Sequence, residues 1–278
     1  MVTLSEARAN RNISDWVTFF ESADIPVLRQ TARELEQLRE LEDQTGARDI
    51  TRVVINDPLM TFKVLTYANN HRSRHQLQDL VQVEQAIIMM GTSTFFAQIP
   101  AVPHVEDVLK QHASSLVDLL KLIVRAHRAG YFAAEFASHL MDLHAEELRV
   151  AASLHDFAEM LMWCFNPDAM NEISKRQAAD KTLRSRVVQE DILGFKVMDL
   201  QAELVRTFNL PSLLTDLMDE QRAHLPRVRN VQLAVNLARH SAEGWENAAL
   251  PDDYKDIAQL LHVDVPRVMH IVGVPDKA

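Results

Sequence analysis

Residues Glu147-Leu-Arg-Val-Ala-Ala-Ser-Leu-His-Asp-Phe-Ala-Glu-Met-Leu-Met-Trp163 place a histidine and an aspartate, His155 and Asp156, inside an otherwise apolar run. Val150, Ala151, Leu154, Ala158, Leu161 and Met162 recur at helical spacing, which predicts one core helix with little of its circumference in water. An ionised Asp156 on such a helix is costly unless it binds a metal, pairs with a cation or accepts several hydrogen bonds. The doublet is therefore read in two ways, as part of a metal site or as a buried polar knot.

Outward from this stretch, helical patterning continues. Six glycines in 278 residues, against ten prolines at apparent boundaries, argue for helices with short connections and an all-α fold. Ser14 is expected to cap a helix over Asp15 to Ala23, with residues 1–13 as an N-terminal tail, and Ile25-Pro26 leads into an amphipathic helix from about Val27 to Leu41. Asp49 to Asn56 reads as a short helix stopped by Asn56-Asp57-Pro58, and Pro58 opens the next, which ends at Asn69-Asn70. The loop after it carries His71, Arg72, Arg74 and His75, read as a solvated surface because no aromatic residues interleave the charges. Val83 to Met90 forms a helix stopped by Gly91, and Thr92 begins another.

Residues 100–114 hold two prolines and little periodicity, and are read as a connector dividing an N-terminal lobe of about 14–99 from a second lobe of about 115–278. Helices are expected from Leu116 to Ala137, Val228 to Ala242, Asp252 to Leu261 and Val265 to Val272. Met160, Met162 and Met170 read as core filling rather than a pliable partner surface. His104, His112, His139 and His144 read as surface histidines, and His224, His240, His262 and His270 are too scattered to form a ligand set.

Composition narrows the function classes. The formal net charge is −10, so no global field draws the chain to nucleic acid or anionic lipid, and no helix-turn-helix element is evident. The single cysteine, Cys164, cannot form an internal disulfide and reads as a buried, inert thiol, which fits a reducing compartment. No apolar run approaches the roughly 20 residues of a membrane span, and the first residues lack a signal pattern, so the expected location is the cytoplasm.

The succession Ile25-Pro26, then Ile50 through Asn56-Asp57-Pro58, then Lys63-Val64-Leu65-Thr-Tyr-Ala-Asn69, then Val83-Glu-Gln-Ala-Ile-Ile-Met-Met-Gly91 resembles the HDOD family, the HD-related output domains of bacterial signalling proteins. That family shows a proline-led helix, a "DP" before a helix ending "LANS", a variable loop and a helix ending in glycine. Here "LANS" becomes Tyr67-Ala68-Asn69-Asn70. The resemblance spans about Trp16 to Val272, implies an all-α bundle with a second half like the HD superfamily, and leaves no room for a separate kinase, receiver or cyclase module.

The resemblance also frames the histidines. Metal phosphohydrolases of the HD superfamily hold a divalent ion with histidines and aspartates, lowering the pKa of a bound water. His127, His155 and Asp156 occupy positions similar to part of that set. The remaining positions are lost: a histidine falls on Val197, a histidine pair near Glu220-Gln221, and the last acidic ligand on Asn236, while Phe157-Ala158-Glu159 stands where a glycine and lysine are usual. The expectation is a vestigial site at His127, His155 and Asp156, with no catalytic residue, metal or cofactor, and a structural role for the doublet. The function implied is regulation in a bacterial signalling circuit by binding another signalling protein or a small regulatory ligand. The rival is an HD-type metal phosphohydrolase.

Overall fold

A computed structural model describes residues 11–71, 80–180 and 183–275. Arg72, Arg74 and His75 of the basic loop, and the first ten residues of the expected tail, lie outside the described residues. The fold is all α-helical, and the described residues contain no strand, only one isolated bridge between Val27 and His104.

The chain sorts into two compact units, each discontinuous in sequence. The first runs to Ile123 and resumes over Asp156–Leu210; the second comprises Val124–His155 and the chain from Pro211 onward. The division falls inside a helix and between His155 and Asp156, not at residues 100–114.

The first unit opens with α1 (Ile13–Ser22) and α2 (Arg29–Glu40). Asn12, not Ser14, caps α1: its Oδ1 accepts the Asp15 amide at 3.0 Å and the Asp15 carboxylate accepts the Asn12 amide at 3.1 Å. α3 (Ala47–Val54) and α4 (Pro58–Asn70) follow, and Pro58 takes the first helical position because its missing N–H has no intrahelical partner there. α5 (Val83–Met90) ends at Gly91, whose φ of 82° suits glycine, and α6 (Thr92–Gln98) starts directly after it.

The segment expected to be a connector is instead built into this unit. It contains α7 (Val105–Val108); the Val27 amide donates to Pro103 O and the Val105 amide to Val27 O, both at 2.9 Å. Lys63 Nζ donates to the carbonyls of Pro100 (2.7 Å) and Val102 (3.0 Å), so residues without hydrophobic periodicity are held by polar bonds that periodicity does not report.

α8 (Ala113–His139) runs from the first unit into the second. The first unit is completed by α10 (Phe157–Phe165), α11 (Pro167–Ala179), α12 (Ser185–Leu193) and α13 (Val197–Thr207), with α13 packed on both α1 and α10. Phe62 of α4 stacks on Phe157 of α10 at 3.9 Å between ring centroids, and Phe208 meets Phe62 edge-on at 5.0 Å. Met160, Met162 and Met170 are buried as expected, and so is Cys164, whose thiol pKa burial pushes far above its usual value.

In the second unit α9 (Ala145–Ser153), α14 (Ser212–Leu217) and α15 (Pro226–His240) pack together, and α15 supports α16 (Leu250–Leu261), on which α17 (Val265–Ile271) rests. Gly130 of α8 lies so near α9 that a Cβ there would meet the Arg149 carbonyl at 3.0 Å and Ser153 Cβ at 3.4 Å. Asn230, buried in α15, donates to the Ala133 carbonyl of α8 at 3.3 Å. Arg128 donates to Ser241 O and Oγ, both at 3.0 Å, and fixes the C-terminal end of α15. No helix among the described residues is long and apolar enough to cross a membrane.

Candidate functional site

The expected single helix through the doublet is two helices. α9 ends at Ser153 and α10 begins at Phe157, so His155 and Asp156 occupy a break. Both are half-buried, where a buried pair is expected. Apolar spacing continues across the break because Leu154 and Phe157 are both buried, and hydrophobic periodicity therefore does not register the interruption. Asp156 precedes α10, yet its side chain makes no capping bond to that helix. Gln201 of α13 takes the role: its Oε1 accepts the Ala158 amide at 2.6 Å, satisfying a donor in the first turn of α10.

His155 lines a polar cavity of about 270 Å³ within the second unit, together with Gln232, Val235, Asn236 and Arg239. Gln232, Asn236 and Arg239 stand at i, i+4 and i+7 on α15, so one face of that helix presents them in a row. Among the described residues, the cavity wall contains a guanidinium, two carboxamides and an imidazole, and no carboxylate. Asn236, the residue at the position of an expected acidic ligand, is thus brought beside His155, but as an amide.

The other sequence-predicted residues are not assembled around it. His127 lies on α8 with its side chain exposed, and it is not part of the cavity wall. Desolvation by the packing around its inner edge, and secondarily the Arg149 charge, hold its pKa below the usual histidine value. Val197 is a buried core residue of α13. Gln221 sits in a single 3₁₀ turn, Glu220–Arg222. Among the described residues, no group of three or more histidine, cysteine, aspartate or glutamate side chains is placed to hold a metal ion. An HD-type divalent centre needs such a group, so the described side chains do not fit one.

Several of the histidines read as surface or as scattered have acidic neighbours. His104 meets Asp107 at 3.0 Å, His144 meets Glu147 at 3.2 Å, and His240 meets Asp253 at 2.6 Å. Asp253 is largely buried, which raises its pKa although His240 pulls it down. Spacing did not single out Gln201, Gln232 or Arg239. The only sequence signal for the latter two is their helical register with Asn236.

Residues 25–224 match the model of the HDOD domain. The chain belongs to the HDOD family. The matched segment is shorter than the expected span of Trp16 to Val272, and α15, with Gln232, Asn236 and Arg239, lies beyond it. Among solved structures, a virulence factor of Campylobacter jejuni subsp. jejuni is similar to the chain with a TM-score of 0.71 at 16% identity, covering 95% of each chain. The MmoQ response regulator of Methylococcus capsulatus str. Bath is similar with a TM-score of 0.66 at 14% identity, covering 91% of this chain and 99% of its own. At these identities the likeness shows a shared fold. No curated protein matches the sequence.

Proposed function

We propose that this HDOD protein is a component of a bacterial signalling circuit that acts by binding, without catalytic turnover. That a protein of similar fold, MmoQ, is a response regulator supports the signalling half of the reading. The binding half is carried by one observation: the cavity that holds His155 presents Gln232, Asn236 and Arg239, and no carboxylate. A divalent ion placed about 5 Å from a guanidinium is repelled by roughly 7 kcal/mol at an effective dielectric near 20, and the carboxamides of Gln232 and Asn236 carry no formal charge to offset it. His155 and Asp156 then keep a structural role in the segment between Ser153 and Phe157, and the domain's outer surfaces or this cavity meet the partner.

The rival reading, a metal-dependent phosphohydrolase, predicts hydrolysis of phosphodiesters or nucleotides on addition of manganese, magnesium or zinc, abolished by His155→Ala. The binding reading predicts no His155-dependent turnover with any of these ions. Capture of native-cell extracts on the intact chain, followed by quantitative binding with the purified candidate, identifies the partner.

A further inference from the structure

We infer that the pocket formed by the segment after α15 and by helices α16 and α17 is a site for an organic ammonium ion, an amine with an apolar body, supplied by a free small molecule or by a lysine side chain of a partner. The pocket lies wholly beyond residues 25–224 and shares no lining residue with the His155 cavity, so it goes beyond the function proposed above.

α15 ends at His240, and the chain passes Trp245 and Glu246 before α16 begins at Leu250. Trp245 and Tyr254 supply aromatic surface, and Pro251 and Met269 apolar surface, to a pocket of about 730 Å³, within the range usual for small-ligand sites. Aromatic faces are electron-rich and attract cations, most strongly over tryptophan. The charge on the wall has the same sense. Among the described residues the wall contains one carboxylate, Glu246, and no lysine or arginine; its one basic group is the imidazole of His270. Glu246 is exposed and forms no ion pair among the described residues, whereas Asp252 meets Lys255 at 2.9 Å and Asp253 meets His240 at 2.6 Å. Tyr254 is 6% exposed, and its buried hydroxyl has no hydrogen-bond partner among the described residues. Burial first, and then the charges of Asp253 and Glu246, raise the pKa of that hydroxyl, so it stays neutral, in a negative field, with a lone pair for an N–H donor. Arg128 lies over the Trp245 ring, 5.7 Å from its centroid, but its guanidinium is bonded to Ser241 and is not part of the wall. An anion is repelled by Glu246 and a neutral ligand gains nothing from it. A cation with an apolar body uses both the carboxylate and the rings.

Titration calorimetry of the full chain at about pH 8, where an ordinary imidazole is uncharged, tests this with 2-phenylethylamine, its neutral isostere 2-phenylethanol, and Nα-acetyl-lysine N-methylamide. The expected result is one site per chain for the amine, with a Kd below about 1 mM and at least about tenfold tighter than for the alcohol. Glu246→Gln, an exposed and nearly isosteric change, should erase that preference, and Trp245→Leu should weaken the amine at least about tenfold. Glu243→Gln removes an exposed carboxylate outside the wall and should leave binding unchanged. Tighter binding of the free amine or of the lysine derivative names the source of the ammonium group. Glu246→Gln keeps the test valid if Trp245→Leu, which also loses the contact with Arg128, fails to fold. No binding of either ammonium compound, equal binding of amine and alcohol, or binding indifferent to Glu246→Gln overturns the inference. Each of those results leaves the non-catalytic reading standing, because that reading rests on the His155 cavity.

Discussion

The Asp57 carboxylate accepts the Leu28 amide at 2.8 Å through one oxygen while its other oxygen accepts the amides of Leu59 at 3.0 Å and Met60 at 3.2 Å. One fully buried side chain thus caps α4 and fixes the residue entering α2. Burial raises its pKa from 3.8, against these bonds and one from Thr31. The stability contributed by this raised pKa is fully present below pH 3.8 and is lost as pH rises through the folded-state value. Asp57→Asn removes that dependence but turns an NH2 toward the Leu28 donor. We expect a net loss of about 1–3 kcal/mol at neutral pH, and a flatter stability profile toward acid, in denaturant titrations at several pH values.

Asn69 and Leu80 form a reciprocal pair: the Asn69 amide donates to the Leu80 carbonyl at 3.0 Å and its Oδ1 accepts the Leu80 amide at 3.1 Å. The side chain also donates to Leu65 O at 2.9 Å. Asn69→Ala leaves buried backbone groups at Leu80 without these partners and should cost about 2–3 kcal/mol. The unfolding midpoint reads the loss, and faster amide exchange at Leu80 locates it.

Gly130 permits the close approach of α8 to α9 in the unit that carries the cavity. In Gly130→Ala the new methyl meets the Arg149 carbonyl at 3.0 Å, and backbone cannot yield as a side-chain tip can. An overpacking loss of about 1–3 kcal/mol is expected from thermal or denaturant unfolding.

His127 supplies a pH test. Its pKa is lowered from 6.5 by desolvation, with Arg149 adding to the effect, so the stability it contributes is present above pH 6.5 and is lost as pH falls through the folded-state value. The imidazole resonances should titrate with a midpoint below 6.5 in the wild type, and Arg149→Gln should move that midpoint upward.

Most helix boundaries were legible because prolines and glycines mark them chemically. Pro58 and Gly91 act where the spacing predicts, and Asp57-Pro58 and Asn69 carry the family resemblance for reasons the hydrogen bonds now supply. The break at residues 154–156 was not legible, since neither glycine nor proline marks it and the apolar spacing continues through it. The built-in segment at 100–114 was missed for a related cause: its anchors are Lys63 Nζ and backbone bonds to Val27, which leave no periodic trace. At the site, the resemblance pointed to Asn236 and His155. Only the fold shows that Gln232 and Arg239 share their cavity, and that His127 does not line it.

The central claim is that the pocket at His155 is built for something other than a divalent cation. Titration of manganese into the purified, metal-stripped chain, followed by the electron paramagnetic resonance of the free ion, tests it most directly. The account predicts that the free-ion signal rises in proportion to added manganese, with no break at one equivalent, in wild type and His155→Ala alike. A break at one or more equivalents that disappears in His155→Ala would contradict it.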